Sequence, residues 1–148
     1  MAQLEKQFQI EYKHIINNVL KWKDYMYWKF SDMDIAQKWY DCFVLYNNMY
    51  YWFELKLHKS ANAFAFNKVQ DHQEKYLLKT QQSGWRWFIV INVNIGRKKG
   101  ENYICIFDIV TWLFIKDNHF KKSMTLEFMR NKCTYLIENW NLNVLFDV

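Results

Sequence analysis

Proline is absent from this chain of 148 residues, and glycine, cysteine and arginine occur three times each. With no Pro-, Gly- or Ser-rich stretch and no repeat, nothing marks a linker, and the chain reads as one domain over residues 1–148. The glycines Gly84, Gly96 and Gly100 form no phosphate-cradling loop, which argues against a nucleotide-binding enzyme. Cys42, Cys105 and Cys133 are an odd set without CxxC spacing, so neither a disulfide framework nor a zinc site is expected. Cys42 and Cys105 lie within apolar runs and read as buried thiols. His14, His58, His72 and His119 show no metal-ligand spacing. His58 reads as a solvated loop histidine, with a DNA contact as the alternative. No serine sits in a nucleophile elbow. No run reaches the roughly 18 apolar residues of a membrane helix. The first residues lack the basic-then-apolar pattern of a secretory signal. A soluble protein of a reducing cytoplasm, with no membrane partner, is the expectation.

What the chain does have is apolar surface: 51% of residues are hydrophobic and 20% aromatic, enough for a sizeable core. The net charge of +5 makes an anionic partner, nucleic acid above all, a reasonable expectation. Many soluble proteins are mildly basic, so charge alone decides nothing. The preference for Lys over Arg, together with abundant Asn, resembles the bias of an AT-rich genome and weakens arguments from Lys or Asn frequency.

Periodicity organises the chain. Residues 4–20 place Leu4, Phe8, Tyr12, Ile15 and Val19 on one helical stripe. Residues 25–30 can form a first strand. Two aromatic and aliphatic runs follow, Trp39 to Tyr46 and Met49 to Leu57, separated by Asn47-Asn48, residues that tolerate the positive φ of a tight hairpin. A second helix is expected from Lys68 to Gln82, closed by Ser83-Gly84. Trp87 to Val93 is continuously apolar, as in a central strand covered on both faces. Gly96 to Gly100 makes a basic turn, and Tyr103 to Phe107 returns as a strand. Asp108 caps a short helix, Ile109 to Ile115, and another helix spans Thr125 to Lys132. This order predicts an α/β domain with a mixed sheet.

The chemistry concentrates between Asp41 and Lys56, in DCFVLYNNMYYWFELK. A two-residue Asn47-Asn48 loop makes Tyr46 face Met49 and Asp41 face Glu54, on one side of the sheet with Cβ atoms roughly 5 Å apart. Lys56 projects to that side as well, because the strand period is two. Two opposed carboxylates destabilise a sheet unless a cation lies between them, and Mg²⁺ takes oxygen ligands. Such an ion polarises a phosphoryl oxygen and activates water, with Lys56 orienting that water and offsetting developing charge. The alternative is an Asp and a Glu at a strand end held by Lys56 as a solvated ion pair. On the second helix Gln73 shares a stripe with Val69, Tyr76, Leu77 and Thr80, so a core-facing amide needs partners.

This stretch resembles the catalytic core of the PD-(D/E)xK nucleases, and among them the RecU family and related phage Holliday-junction resolvases. The matching features are Asp41, the turn and apolar strand, Glu54-Leu55-Lys56, then Phe64 and Phe66, and the segment VQDHQEKYLLK with Asp71-His72-Gln73. WFIVINV, YICIFDIVTWLF and Lys122-Ser123-Met124 follow in the family's order.

The resemblance implies a restriction-endonuclease-like core, a central mixed β-sheet flanked by helices. It further implies a single nuclease domain that cuts branched DNA in recombination and repair. Catalysis would rest on Asp41, Glu54, Lys56 and Gln73, the last contacting a metal water or the DNA backbone. Mg²⁺ or Mn²⁺ would sit on Asp41, Glu54 and Gln9. Gln9 stands where the family's first helix usually carries a Glu, and Glu5, one turn earlier, can reach the same site. Phosphate contacts are expected from Lys38, Arg97, Lys98, Lys99, Lys121 and Lys122. A junction is two-fold symmetric and two nicks need two active sites, which implies a homodimer. RecU carries a long stalk between the residues matching Trp28 and Asp41, whereas only KFSDMDIAQKWY is present here. A restriction-like endonuclease on duplex DNA and a non-catalytic DNA-binding protein of the same fold are the alternatives.

Overall fold

Asn47 and Asn48 both adopt positive φ, 52° and 61°, the left-handed pair that a two-residue hairpin turn requires. They join strand β2 (Cys42–Tyr46) to β3 (Met49–His58), with Tyr46 beside Met49 and Cys42 beside Phe53. The computed structural model describes residues 2–29, 41–69, 74, 75, 78, 79, 81 and 83–148. Strand β1 (Tyr25–Lys29) extends the hairpin on its outer edge.

On the other side β3 pairs in parallel with a strand far along the chain. Residues 59–85 make the crossover that a parallel pair demands. Within it lie β4 (Phe64–Ala65), a 3₁₀ turn at Phe66–Lys68, and helical residues at 74, 75, 78, 79 and 81. Strand β5 (Arg86–Asn94) follows, then β6 (Asn102–Asp108). Helix α1 (Ala2–Val19) opens the chain, and α2 (Ile109–Asn118) follows β6. Next come β7 (Ser123–Met124), α3 (Leu126–Lys132), β8 (Tyr135–Ile137) and α4 (Asn143–Phe146). The main sheet has the order β1-β2-β3-β5-β6-β8, antiparallel except between β3 and β5, while β4 and β7 form a separate two-stranded ribbon. This is the expected central mixed sheet flanked by helices.

Both faces are covered, which is why Trp87 to Val93 can be almost wholly apolar: each side chain of that run is buried, the amide of Asn92 included. Val44, Phe53, Leu55, Phe88 and Ile106 pack under Phe8, Tyr12, Ile16 and Leu20 of α1 and its following turn, joined by Leu145 and Phe146. Trp87, Ile89, Ile91, Cys105 and Phe107 pack under Phe66, Val69, Trp112 and Met129. The buried stripe of α1 advances by four residues each time. Ile15 and Val19, expected on it, flank it instead, and Leu4, also expected there, is exposed.

Local chemistry fixes the ends of the helices. Asp108 Oδ1 accepts from Val110 N at 2.8 Å, the expected cap of α2, and Thr125 Oγ1 accepts from Phe128 N at 3.1 Å to start α3. The second helix does not begin at Lys68 as expected. Lys68 ends the 3₁₀ turn and Val69 is extended (φ −100°, ψ 116°), because burying both Phe66 and Val69 suits one tight turn. Farther along, Glu74 accepts from Lys116 Nζ at 2.6 Å and from Trp112 Nε1 at 3.3 Å, fastening the crossover to α2. The sequence pattern did not reveal β8 or α4, which are too short for a periodicity to emerge. Cys42 and Cys105 are buried free thiols, as expected. No helix among the described residues is long and apolar enough to cross a membrane.

The turn carries a direct test. Asn48→Val places a β-branched side chain at positive φ and should lower stability by about 1–2 kcal/mol, whereas Asn48→Gly should match or exceed the wild type. Urea denaturation of the two variants measures the difference.

Candidate active site

Strand β2 ends beside Phe53, but β3 runs on to His58 with only β5 as neighbour. The last rung of the hairpin is Asp41 N donating to Phe53 O at 2.9 Å. Two residues along, Leu55 N points to the same side, and Asp41 Oδ2 accepts from it at 2.7 Å. The carboxylate of Asp41 thus takes the place of the missing strand. From α1, Gln9 Nε2 donates to Asp41 Oδ1 at 3.2 Å. Glu54 follows Phe53 on β3, near enough to Asp41 for the two carboxylates to interact, and it is ion-paired to Lys56 Nζ at 3.0 Å. Glu54 is 4% exposed, so an unpaired charge there would be costly.

Burial and then the neighbouring Glu54 carboxylate push Asp41 well above the usual carboxylate range. The Leu55 N–H and Lys56 only partly counter this, and Glu5 adds to the rise. For Lys56, burial works against the charge, but Glu54, Asp41 and Glu5 outweigh it and hold the ammonium above its ordinary value. Negative charge is therefore in excess at this point. The Lys56 ammonium does not fully relieve it.

The donor set suits a hard cation. It is oxygen-only, with the carboxylates of Asp41 and Glu54 side by side, and Gln9 Oε1 is buried there without a hydrogen-bond partner. Among the described residues, no three His, Cys, Asp or Glu side chains close a cage. Mg²⁺ does not need one, since it commonly uses one or two carboxylates and keeps several waters. Glu5 acts on both Asp41 and Lys56 through its charge, while Gln9 touches Asp41 directly.

Gln9, Asp41, Glu54 and Lys56 are thus brought together, and the other candidates among the described residues lie apart. Arg97, Lys98 and Lys99 occupy the exposed β5–β6 turn, beyond the ends of β3 and β5. That turn is ordered by Glu101, whose Oε2 accepts from Lys98 N at 3.0 Å, and by Asn102 Nδ2 donating to Gly96 O at 2.7 Å. Lys121 and Lys122 are exposed just before β7, where Lys122 O accepts from Phe66 N. Lys38 and Gln73 lie outside the described residues.

His58 is a correction. It is not a solvated loop residue but the last residue of β3, 2% exposed. Its Nε2 is 2.7 Å from Asn62 O and its Nδ1 is 3.1 Å from Lys68 Nζ. This pairing suits a neutral ring that donates to the carbonyl and accepts from the ammonium. Burial and then Lys68 hold its pKa below the ordinary histidine value, against the contrary pull of Asn62. Sequence reading missed Lys68, whose ammonium also lies 5.0 Å from the Phe64 ring centre. It missed the Leu55 main chain as well. The only available signal was the even spacing of Glu54, Lys56 and His58 along one strand face.

No protein family matches this chain, and no curated protein matches it in sequence. In structure it is similar to Hjc, a Holliday junction resolvase from the archaeal hyperthermophile Archaeoglobus fulgidus. The match has a TM-score of 0.54 over 97% of this chain and 98% of that one, at 10% identity. At that identity the likeness is one of fold.

The Asp41 shift makes a pH prediction. A carboxyl whose folded pKa is raised contributes stability that is complete below its unfolded value, about 3.9, and is lost as pH rises through the folded pKa. In EDTA, Asp41→Asn should therefore melt above the wild type at neutral pH, by about 2–4 °C for each kcal/mol recovered, and the gap should close toward acid pH. Added Mg²⁺ should raise the wild-type melting temperature, more at pH 8 than at pH 6, and leave Asp41→Asn unmoved. Thermal melts across pH measure both.

Proposed function

We propose that this chain is a divalent-metal-dependent endonuclease acting on branched DNA, a Holliday junction resolvase of the PD-(D/E)xK kind, with residues 1–148 as its nuclease domain. The observation that carries this reading is the close approach of Asp41 to Glu54 and Lys56, at the point where β3 outruns β2. A fold shared with an archaeal resolvase adds support.

Asp41, Glu54 and the Gln9 carbonyl oxygen would hold Mg²⁺ or Mn²⁺. The chemistry supplied by the bound ion is polarisation of a phosphoryl oxygen and activation of water. The residues divide the remaining work. The Leu55 N–H and the Gln9 amide fix both oxygens of Asp41, so its orientation is set before substrate arrives. Lys56 keeps its proton, held by Glu54, and stands ready to orient the attacking water and to offset charge that builds on the phosphorus oxygens. Burial of Glu54 excludes bulk water from one side of the site. In this reading Arg97, Lys98, Lys99, Lys121 and Lys122 contact phosphates, and a homodimer brings two sites to the two strands of a junction. Lys38, in the short connector that replaces a stalk, would contact the junction, and Gln73 would contact a metal-bound water or the DNA backbone.

Asp41→Asn, Glu54→Gln and Lys56→Ala should each slow cleavage of a synthetic four-way junction by at least about 10²-fold, with affinity in Ca²⁺ nearly unchanged, since binding rests on dispersed phosphate contacts. Nicking and binding assays on each variant check this, and full activity in any of them removes the assignment. Equal affinity for junction and matched duplex, with double-strand cuts at one short sequence, would favour a restriction-like enzyme. Binding without cutting in Mg²⁺ or Mn²⁺ would favour a non-catalytic protein. Gln9→Glu should lower the Mg²⁺ concentration for half-maximal rate, because a third carboxylate strengthens an oxygen-only site. An unchanged titration would place Gln9 outside the metal's reach.

A further inference from the structure

Beyond the end of β3 lies a second concave site. A cavity of about 580 Å³ opens between the C-terminal end of α2 and the β4–β7 ribbon, walled by Phe66, Lys116, His119, Phe120, Lys121 and Lys122. Phe120 is 89% exposed. Single exposed apolar residues are ordinary, but this ring has an aromatic ring and an ammonium beside it. His119 lies against it at 5.7 Å between centroids and 32° between planes, and Lys121 Nζ sits 5.6 Å from its centre. His119 is anchored in turn, with its ring 5.6 Å from Phe66 and 4.8 Å from Phe128 and its Nε2 3.1 Å from Ser123 O. The backbone beneath is pinned by Phe66 N donating to Lys122 O and by the β4–β7 pairing.

The charge of the wall is one-sided. Lys121 and Lys122 are exposed, Lys116 is paired with Glu74, and no carboxylate lines the cavity among the described residues. An exposed aromatic face beside cations suits a nucleotide: the ring stacks on a base while lysine meets the adjoining phosphate. A second copy of this chain fits poorly, since a two-fold contact here would set the lysines against their own kind. An intact duplex fits poorly too, because its base faces are already covered by stacking. The cavity also lies on the active-site side. His58 shares the strand face of Glu54 and Lys56 and packs on Phe64, the β4 residue that pairs with Met124 of β7.

We infer that Phe120, with Lys121 and Lys122, forms a subsite for an unpaired nucleotide of the DNA strand. This deepens the proposed function and rests on it for the identity of the nucleic acid. On a junction, the subsite would receive a base freed where strands exchange, and so would favour branched over linear DNA through a contact that a duplex cannot make.

The test compares the wild type with Phe120→Ala and Phe120→Trp, in Ca²⁺, on three probes. These are a 12-nucleotide oligothymidylate, a linear duplex, and a four-way junction of matched length carrying 2-aminopurine at the exchange point. Phe120→Ala should weaken oligothymidylate and junction binding about ten-fold and leave duplex binding within about two-fold, whereas Phe120→Trp should retain affinity and quench the 2-aminopurine. Because the side chain is exposed, neither change should disturb folding, and a thermal melt verifies this. The inference is overturned by wild-type protein that does not bind oligothymidylate. It is equally overturned by Phe120→Ala binding as the wild type does, or by a variant that alters only the sedimentation of the protein. Oligothymidylate binding requires no cleavage, so wild-type protein that never cuts a junction would refute the nuclease reading alone.

Discussion

Two consecutive asparagines at positive φ allow β2 and β3 to be joined by two residues, and every cross-strand pair follows from that length. A loop one residue longer would send Asp41 to the opposite face from Glu54 and Lys56. The hairpin keeps two carboxylates close in a buried place, and burial first, then the Glu54 charge, displaces Asp41 upward. The surrounding structure tolerates this because Leu55 N, Gln9 and Lys56 each offset part of it.

The rest of the fold keeps that end rigid. β5 supports β3 along the part that β2 leaves uncovered, from Glu54 beside Ile89 to His58 beside Val93. β5 is itself buried on both faces, under α1 on one side and under α2, α3 and the crossover on the other. The ion pair between Glu74 and Lys116 ties the crossover to α2, and His58 with Lys68 ties its beginning to the end of β3. The acidic site therefore sits on a strand restrained from three directions, as preorganised electrostatics requires.

Much of this was legible in the residues. The Asn-Asn turn, the alternation of Glu54 and Lys56, and the seven-residue apolar run each have one dominant physical reading, and the structure follows all three. The caps at Asp108 and Thr125 were equally local. What could not be read depends on distant partners. His58 looks like a loop residue until Asn62 and Lys68 close over it. Val69 looks helical until its burial with Phe66 draws the chain into an extended step. Phe120 carries no periodic signal at all, and its setting arises only when β4 meets β7 across more than fifty residues of chain. Gln9 came from a likeness of sequence rather than from geometry, and its amide does reach Asp41.

The contrast between near and far contacts has a kinetic side. The β2–β3 hairpin is a local structure of the sort that forms in microseconds, whereas the parallel β3–β5 pair must wait for closure of the crossover between them. Asp41 and Glu54 are thus neighbours early, while the chain is still open and water screens their repulsion. Their conflict becomes severe only when β5 and α1 arrive and drive solvent out. The penalty consequently falls late, on the step that completes the native state, and a cation that binds the acidic pair should act chiefly by slowing unfolding. Wherever such a cation is bound, persistence of the folded chain would depend on its departure as much as on the loosening of the apolar core.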